Sequence, residues 1–584
     1  MTSAICRPDW VPSGLSSLGR SEPYVLATIE AVLGLLAALT DQALPPTGAT
    51  VSLSQGHELL AVNADRLLGA APAQRSTRIM VTMPSEAIDD AELVAEFIAD
   101  GMDVARINCA HDDPAAWASM VTHLRAATGV DEQRCRVAMD LGGPKLRTGP
   151  LLPGPRAVRI APRRDRLGQV VEPAVVMLTA PGIAPPRPGR VDGAGRTIIE
   201  LPLEDVAWVR RRRHGDRVEL WDSRGAHRHW GIVEVATGGC MASTEQTTYV
   251  TTGLKLVCPT DDGDDAVAVG ELPAGVQAHR VHRGDQIVLT RSLEPAVPTG
   301  GGTPHYIGCS LTDAFDHARP GERVWLDDGK IGGTIDRVDN DEIALTVTSV
   351  RPGGANLKAG KGINLPDTDL PIDALTAKDR ADLAFVVRHA DVVNVSFVRR
   401  PDDVDAVQTE LHRLGADGIG IVLKIENVAA FDNLPELLLT AMRNPTVGVM
   451  IARGDLAVEV GFERLAEVQE EIMWACEAAH VPVIWATQVL DTLARKGQPS
   501  RAEVTDAAMA ERAECVMLNK GPHITDAITV LDSILTRMQD HQDKKRSLLR
   551  RLRAWDHADP TDAPGTPGGT DVTRDRQRPM RELD

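Results

Sequence analysis

Three short segments hold most of the chemistry this chain could perform: Leu423-Lys424-Ile425-Glu426-Asn427, Ala452-Arg453-Gly454-Asp455-Leu456 and Ala486-Thr487-Gln488. Together they supply a lysine, two carboxylates, an arginine and a threonine. Each follows a short apolar run that reads as a buried parallel strand: Gly420 to Leu423, Val447 to Ile451 and Val481 to Ile484. The polar groups therefore stand at the same ends of consecutive strands, where a (β/α)8 barrel builds its active site. Glu426 and Asp455, with no cysteine or histidine beside them, favour a hard, oxygen-seeking cation, Mg2+ or Mn2+. The plain alternative is that they only form salt bridges with Lys424 and Arg453 at a barrel rim.

Further polar residues close other predicted strands: Thr82, Arg106 with Asn108 and His111, Asp140 with Arg147, and Ser396. Arg106, Arg147 and Lys424 around two carboxylates imply an anionic substrate bearing phosphate or carboxylate. Phosphoryl transfer needs little else: in-line positioning, a divalent metal, and cations on the equatorial oxygens. Neither a Walker A sequence nor the Gly-rich loop of protein kinases is present, so a different scaffold for that reaction is implied.

The elements that must position these groups follow a strand-then-helix rhythm, which predicts a parallel sheet. Arg78 to Thr82, Val104 to Asn108 and Val137 to Asp140 read as the first three strands. The rhythm then stops and resumes near Leu375. Val392 to Val395, Gly420 to Leu423, Val447 to Ile451, Val481 to Ile484 and Cys515 to Leu518 complete eight. The expected fold is thus an α/β chain, a (β/α)8 TIM barrel interrupted after strand three by an enlarged β-rich lid domain, with an N-terminal helical extension.

The expected boundaries are 1–75 for the extension, 76–147 for the first part of the barrel and 148–364 for the lid. The second part of the barrel would occupy 365–540, and 541–584 a basic helix end and disordered tail. In the extension, Val25 to Leu39 has helical apolar spacing and Ser21 ahead of it as a cap, predicting an amphipathic helix packed on the body or a partner. In the lid, Gly215-Asp216-Arg217, Gly284-Asp285-Gln286 and Gly321-Glu322-Arg323 each enter an alternating run, as a duplicated unit or a shared strand-entry turn. The run Arg210 to His214 reads as a solvated loop.

Composition narrows the class. A formal charge of −19 argues against sequence-independent nucleic-acid binding, which needs a basic surface. The eight cysteines are scattered with no CxxC pair, consistent with reduced thiols rather than disulfides or zinc. The most apolar stretch, Ala31 to Leu39, is far shorter than the ~20 residues that span a bilayer. A soluble, cytoplasmic protein with neither nucleic-acid nor membrane partner is expected.

With these residues in view, the chain resembles the pyruvate kinase family. The resemblance runs through Gly101 to Asn108, Asp140 to Gly149, Leu326-Asp327-Asp328-Gly329, Lys361 to Pro366 and Ser396-Phe397-Val398-Arg399. It continues through the three opening segments and Ser500-Arg501-Ala502-Glu503. It implies transfer of phosphate from phosphoenolpyruvate to ADP, giving pyruvate and ATP, the last glycolytic step. Glu426 and Asp455 would hold the metal, and Lys424 would neutralise the phosphoryl group and enolate oxygen. Arg106 would bind the substrate phosphate, and Thr487 with the backbone around Gly454 its carboxylate. Lys424, Thr487 and Arg106 are the expected catalytic groups. Arg147, His111, Asp328 and Lys361 resemble nucleotide-side residues, the last two brought in by lid closure.

The chain also departs from the family pattern. Asn108-Cys109-Ala110-His111 lacks a hydroxyl ligand for a monovalent cation, and Lys145 replaces a glutamate associated with potassium dependence. Asn108, Asp140 and Lys145 thus read as a remnant site in which an ammonium stands for K+, and activity without K+ is expected. Leu518-Asn519-Lys520-Gly521-Pro522 replaces a segment that organises enolate protonation. Barely forty residues follow the last barrel helix, so the family's C-terminal regulatory domain has no counterpart here and a homodimer is expected. Two other readings stay open: a non-catalytic metabolite-sensing homologue, and a Mg2+-dependent lyase or aldolase working through a pyruvate enolate.

Overall fold

Eight apolar runs too short for helices, most of them followed by helical patterns, close into a barrel. The computed structural model describes residues 22–43, 51–52, 55–129, 135–179, 190–191, 197–236, 239–260, 263–300, 302 and 304–539. The barrel strands are β1 (Arg78–Thr82), β2 (Val104–Asn108), β3 (Arg136–Asp140), β4 (Val392–Val395), β5 (Gly420–Ile425), β6 (Val447–Ala452), β7 (Val483–Val489) and β8 (Cys515–Leu518). All neighbours pair in parallel, and β1 closes on β8 with Met80 opposite Met517. Helices outside and side chains inside bury both faces, so the strands read as unbroken apolar runs rather than alternating ones.

Two strands differ from expectation in a way that matters for the site. β5 runs on through Lys424 to Ile425, and all its residues are buried. β7 begins later than expected and continues through Thr487 and Gln488 to Val489. Its pairing with β8 shifts register between Trp485 and Val489, and Thr487 and Gln488 adopt left-handed backbone angles. An apolar run cannot reveal such a bulge, because the polar residues that form it look like the end of the strand.

The N-terminal segment corrects the expectation most. The Val25–Thr40 helix exists, but its apolar residues are not covered: Leu26 is 53% exposed, Leu36 52% and Leu39 83%. Ser21 lies outside the described residues, and Tyr24 occupies the N-cap without a side-chain cap bond. A second helix, Gln55–Leu68, does the packing instead. Its Leu67 and Leu68 enter the barrel from the amino-terminal end of the strands and join Met80, Met450, Ile484 and Met517 in the inner core. Gly420 and Gly448 make room: a Cβ there would lie 2.7 and 2.4 Å from Leu67 carbons. Arg78, opening β1, ties the helix down through Asp65 and the Gly69 carbonyl.

Residues 145–372 form a second compact unit, inserted between β3 and β4 and built almost wholly of strands. It contains an eight-stranded and a six-stranded sheet, each with its own apolar core. The three Gly-Asp/Glu turns prove to be one device used three times. In each, the glycine has positive φ, its N–H bonds a carbonyl of the neighbouring strand, and the following acid accepts the N–H three residues back. Identical bonding in two different sheets makes these a strand-entry turn. The Arg210 to His214 run is solvated at four of its five residues, but it is not wholly a loop. It ends the Val206–Arg211 helix, and Arg212 is buried over the Trp208 ring and paired with Asp265.

The last described helix is Ile524–Met538; the expected basic stretch to Trp555 and the tail from Ala558 lie outside the described residues. Among the described residues all seven cysteines are buried free thiols, and no helix is long and apolar enough to cross a membrane.

Candidate active site

The carboxyl ends of β1 to β5 carry a continuous chain of paired charges. Arg106 on β2 donates to the Thr82 hydroxyl at 2.9 Å and to Asp140 at 2.7 Å. Asp140 ends β3, where register places it opposite Asn108, and it also accepts from Asn394 of β4 at 2.6 Å. Lys424 of β5 lies 3.2 Å from Asp140, 3.0 Å from Glu426, and donates to the Ser396 hydroxyl at 2.8 Å. Glu426 in turn accepts the Phe397 N–H at 2.8 Å, with Phe397 held at a φ of 57°.

These groups are all buried, so their charge states depend on one another. Burial pushes the Asp140 carboxyl up, but Arg106 and Lys424 outweigh it and hold the group well below the usual carboxylate range. Burial also works against the Lys424 ammonium, and Glu426 and Asp140 overcome it, raising its pKa. The result is a lysine and an aspartate locked in their charged forms. One buried donor is left over: the Arg106 Nε–H has no acceptor.

β6 and β7 contribute a second arrangement. Gly454 and Asp455 lie in the first turn of the Arg453–Val460 helix, whose backbone N–H groups favour anions. The Gly454 N–H donates to the Thr487 hydroxyl at 2.8 Å, so the hydroxyl keeps its own proton for another acceptor. Arg453 is held by β7 and by Asp506. It donates to the Ala486 carbonyl at 2.9 Å, pairs with Asp506, and stacks 4.9 Å from the Trp485 ring centre. The rim salt bridge weighed against a metal site is thus half present, between Lys424 and Glu426. Among the described residues no group of three or more His, Cys, Asp or Glu converges as a metal cage.

The remaining predicted residues divide between the two units. In the barrel unit, the Asn108 side chain caps the Ala110 N–H at 3.0 Å, and His111 is exposed, its carbonyl accepting from Trp117. In the second unit, the chain entering at Lys145 to Thr148 pairs with the chain leaving at Gly360 to Ile363. This pairing gathers Lys145, Arg147, Asp328 and Lys361. A Cβ on Gly362 would lie 3.2 Å from Lys145 Cε and 3.8 Å from Asp328. Lys361 pairs with the buried Asp327 at 3.0 Å, and Arg147 donates to the Gly360 carbonyl. Sequence reasoning missed Asn394 and Asp506, which hold Asp140 and Arg453; Asp327, named only within its motif, proves to hold Lys361. Asp506 is 53 residues from its partner, and no local pattern marks such a pair.

A family model described as "Pyruvate kinase, barrel domain" matches residues 74–169 and 244–522. The chain belongs to the pyruvate kinase family. Pyruvate kinase from Clostridium acetobutylicum is 32% identical over 252 residues, covering 42% of this chain and 51% of that protein. The Bacillus licheniformis pyruvate kinase is 34% identical over 259 residues, 43% of each chain. Pyruvate kinase 2 of Saccharomyces cerevisiae is 38% identical over 219 residues, 36% of this chain and 42% of its own. The chain thus spans about half the length of the curated relatives it matches. Between the two stretches matched by the pyruvate kinase barrel model lie residues 170–243, which supply five strands of the eight-stranded sheet, together with Trp208 and Arg212.

Proposed function

We propose that this chain is a pyruvate kinase-type phosphotransferase, moving phosphate from phosphoenolpyruvate to ADP to give pyruvate and ATP. The observation that carries the reading is the buried Arg106–Asp140–Lys424–Glu426 chain across the ends of three strands, β2, β3 and β5. Phosphoryl transfer asks mainly for fixed cations around the moving group. Two arms of Arg106 are fixed by Thr82 and Asp140, and an anionic oxygen beside its Nε–H would satisfy the leftover donor. Lys424, held charged by two carboxylates, is suited to stabilising an enolate oxygen. The Thr487 hydroxyl proton and the first turn at Gly454 suit the substrate carboxylate, and the same hydroxyl is the candidate proton donor to the enolate.

Glu426 and Asp455 would hold Mg2+ or Mn2+. Glu426 pairs with Lys424 through Oε1 and accepts the Phe397 N–H through Oε2, and a hard cation of this kind commonly takes only one or two carboxylates. When bound, it would neutralise charge on the phosphoryl oxygens. His111, Arg147, Asp328 and Lys361 are the proposed nucleotide contacts. Lys145 in place of a glutamate, and Cys109-Ala110 in place of a hydroxyl ligand, support activity without K+. A cytoplasmic homodimer completes the proposal.

The test is stoichiometry. Wild-type chain with phosphoenolpyruvate, ADP and Mg2+ should release pyruvate and ATP in equal amounts. Pyruvate release indifferent to ADP would instead favour lyase chemistry.

A further inference from the structure

The barrel end opposite Lys424 contains a cavity of about 550 Å3, within the ~300–1,000 Å3 of small-molecule sites. The Gln55–Leu68, Leu465–Ala478 and Arg501–Ala510 helices bound it, with the residues entering β1, β7 and β8 as its floor. Much of its wall is apolar, including Leu60, Met473, Trp474 and Val483. Its charged lining is acidic, with Glu470, Glu477, Glu511 and Glu514 against Arg78 and Arg512.

Both arginines are already engaged. Arg512 pairs with Glu470 at 2.9 Å, and Arg78 with Asp65 and the Gly69 and Ser76 carbonyls. Among the described residues Glu514 makes no ion pair, and the nearby Arg78 offsets its burial only in part. It accepts a hydrogen bond from a backbone donor, the Val483 N–H, at 2.8 Å. Protein encloses Glu514, yet it keeps accessible surface where it lines the cavity. Burial, with Glu477 nearby, pushes the carboxyl up to about 7. An acid in an apolar chamber lacks a counterion that the surrounding side chains do not supply.

We propose that this cavity binds a small organic cation, a protonated amine on an apolar body. Its ammonium group pairs with Glu514 while the body fills the space lined by Leu60, Met473 and Trp474. A neutral or anionic molecule of the same shape would gain the apolar contacts and forgo the charge-assisted bond, so the site discriminates by charge. The inference does not depend on the reaction at the other end of the barrel, and its test reads binding alone.

Thermal unfolding of the full chain with benzylammonium, beside benzyl alcohol and benzoate at matched ionic strength, tests it. A saturable rise in Tm is expected for benzylammonium alone. It should be stronger at about pH 8 than at about pH 6, because the cation binds the ionised carboxylate. Glu514→Gln should weaken binding about 10- to 100-fold. Ala61 lines the cavity from an exposed helix position, so Ala61→Trp should block it by about 10-fold or more without disturbing the inner packing. Equal binding by wild type and Glu514→Gln, saturation by benzyl alcohol, or no saturable response to benzylammonium would overturn the proposal.

Discussion

The two ends of the barrel handle buried charge in opposite ways. At the carboxyl end, Arg106, Asp140, Lys424 and Glu426 lie within 2.7–3.2 Å of one another in alternating sign. At the amino end, Leu67 and Leu68 fill the barrel with hydrocarbon, and Glu514 is half-buried with no ion pair among the described residues. A closed chain of charges fixes protonation states and geometry, as a reaction centre requires. An uncompensated acid does the reverse, leaving a proton free to respond to pH and to ligands. The same strands thus join a preorganised end to a responsive one.

The largest effect that would sharpen this contrast is at Lys424. Lys424→Met should lower kcat by about 10²- to 10³-fold. By leaving Glu426 without its lysine and Asp140 with Arg106 alone, it should also cost roughly 3–5 kcal/mol of stability in denaturant unfolding. Asp455 is half-buried at a helix start, so Asp455→Ala should lose comparable turnover with much less destabilisation. If the two variants lost equal stability, the carboxyl-end network would not be a coupled unit.

At the other end, Leu67→Ala should cost about 2–5 kcal/mol through the cavity left inside the barrel. Its kcat and KM should stay within about twofold of wild type when assayed well below its Tm. A comparable loss of turnover would show that the ends are not separable.

Glu514 gives a smaller, pH-dependent signal. Its folded pKa of about 7 lies above the ordinary 4.5. Its contribution to stability is therefore fully present below about pH 4.5 and lost as pH rises through about 7. Glutamine cannot ionise, so the stability of Glu514→Gln relative to wild type should climb by about 1–3 kcal/mol across that window and be flat outside it. A difference independent of pH would mean that Glu514 has a counterion after all.

The contrast between the ends was only half legible in the sequence. Lys424, Glu426, Asp455 and Thr487 stand out because each follows a β-strand that the apolar run announces, and strand ends converge in a barrel. Asn394, Asp506 and Asp327 do not, since what makes them matter is a partner distant in sequence. In the N-terminal segment, periodicity drew attention to Val25 to Leu39, yet the barrel is filled by the less apolar Gln55–Leu68 helix. Periodicity shows that a face is apolar; which helix finds a matching hole is decided by Gly420 and Gly448, hundreds of residues away. The cavity at Glu514 draws on five separate regions of the chain, so no local pattern could announce it.

The smallest expected effect is a null one: if the Lys145 ammonium supplies the charge, as proposed, adding K+ should change turnover by less than about twofold. Strong activation by K+ would remove that role from Lys145.

The most direct test of the carboxyl-end account is the initial rate of pyruvate release from phosphoenolpyruvate and ADP with Mg2+ in potassium-free buffer, wild type beside Lys424→Met. Robust wild-type turnover that collapses in the variant is the predicted result. Near-normal turnover by Lys424→Met, or silence of the wild type that persists with Mn2+ and K+ added, would contradict it.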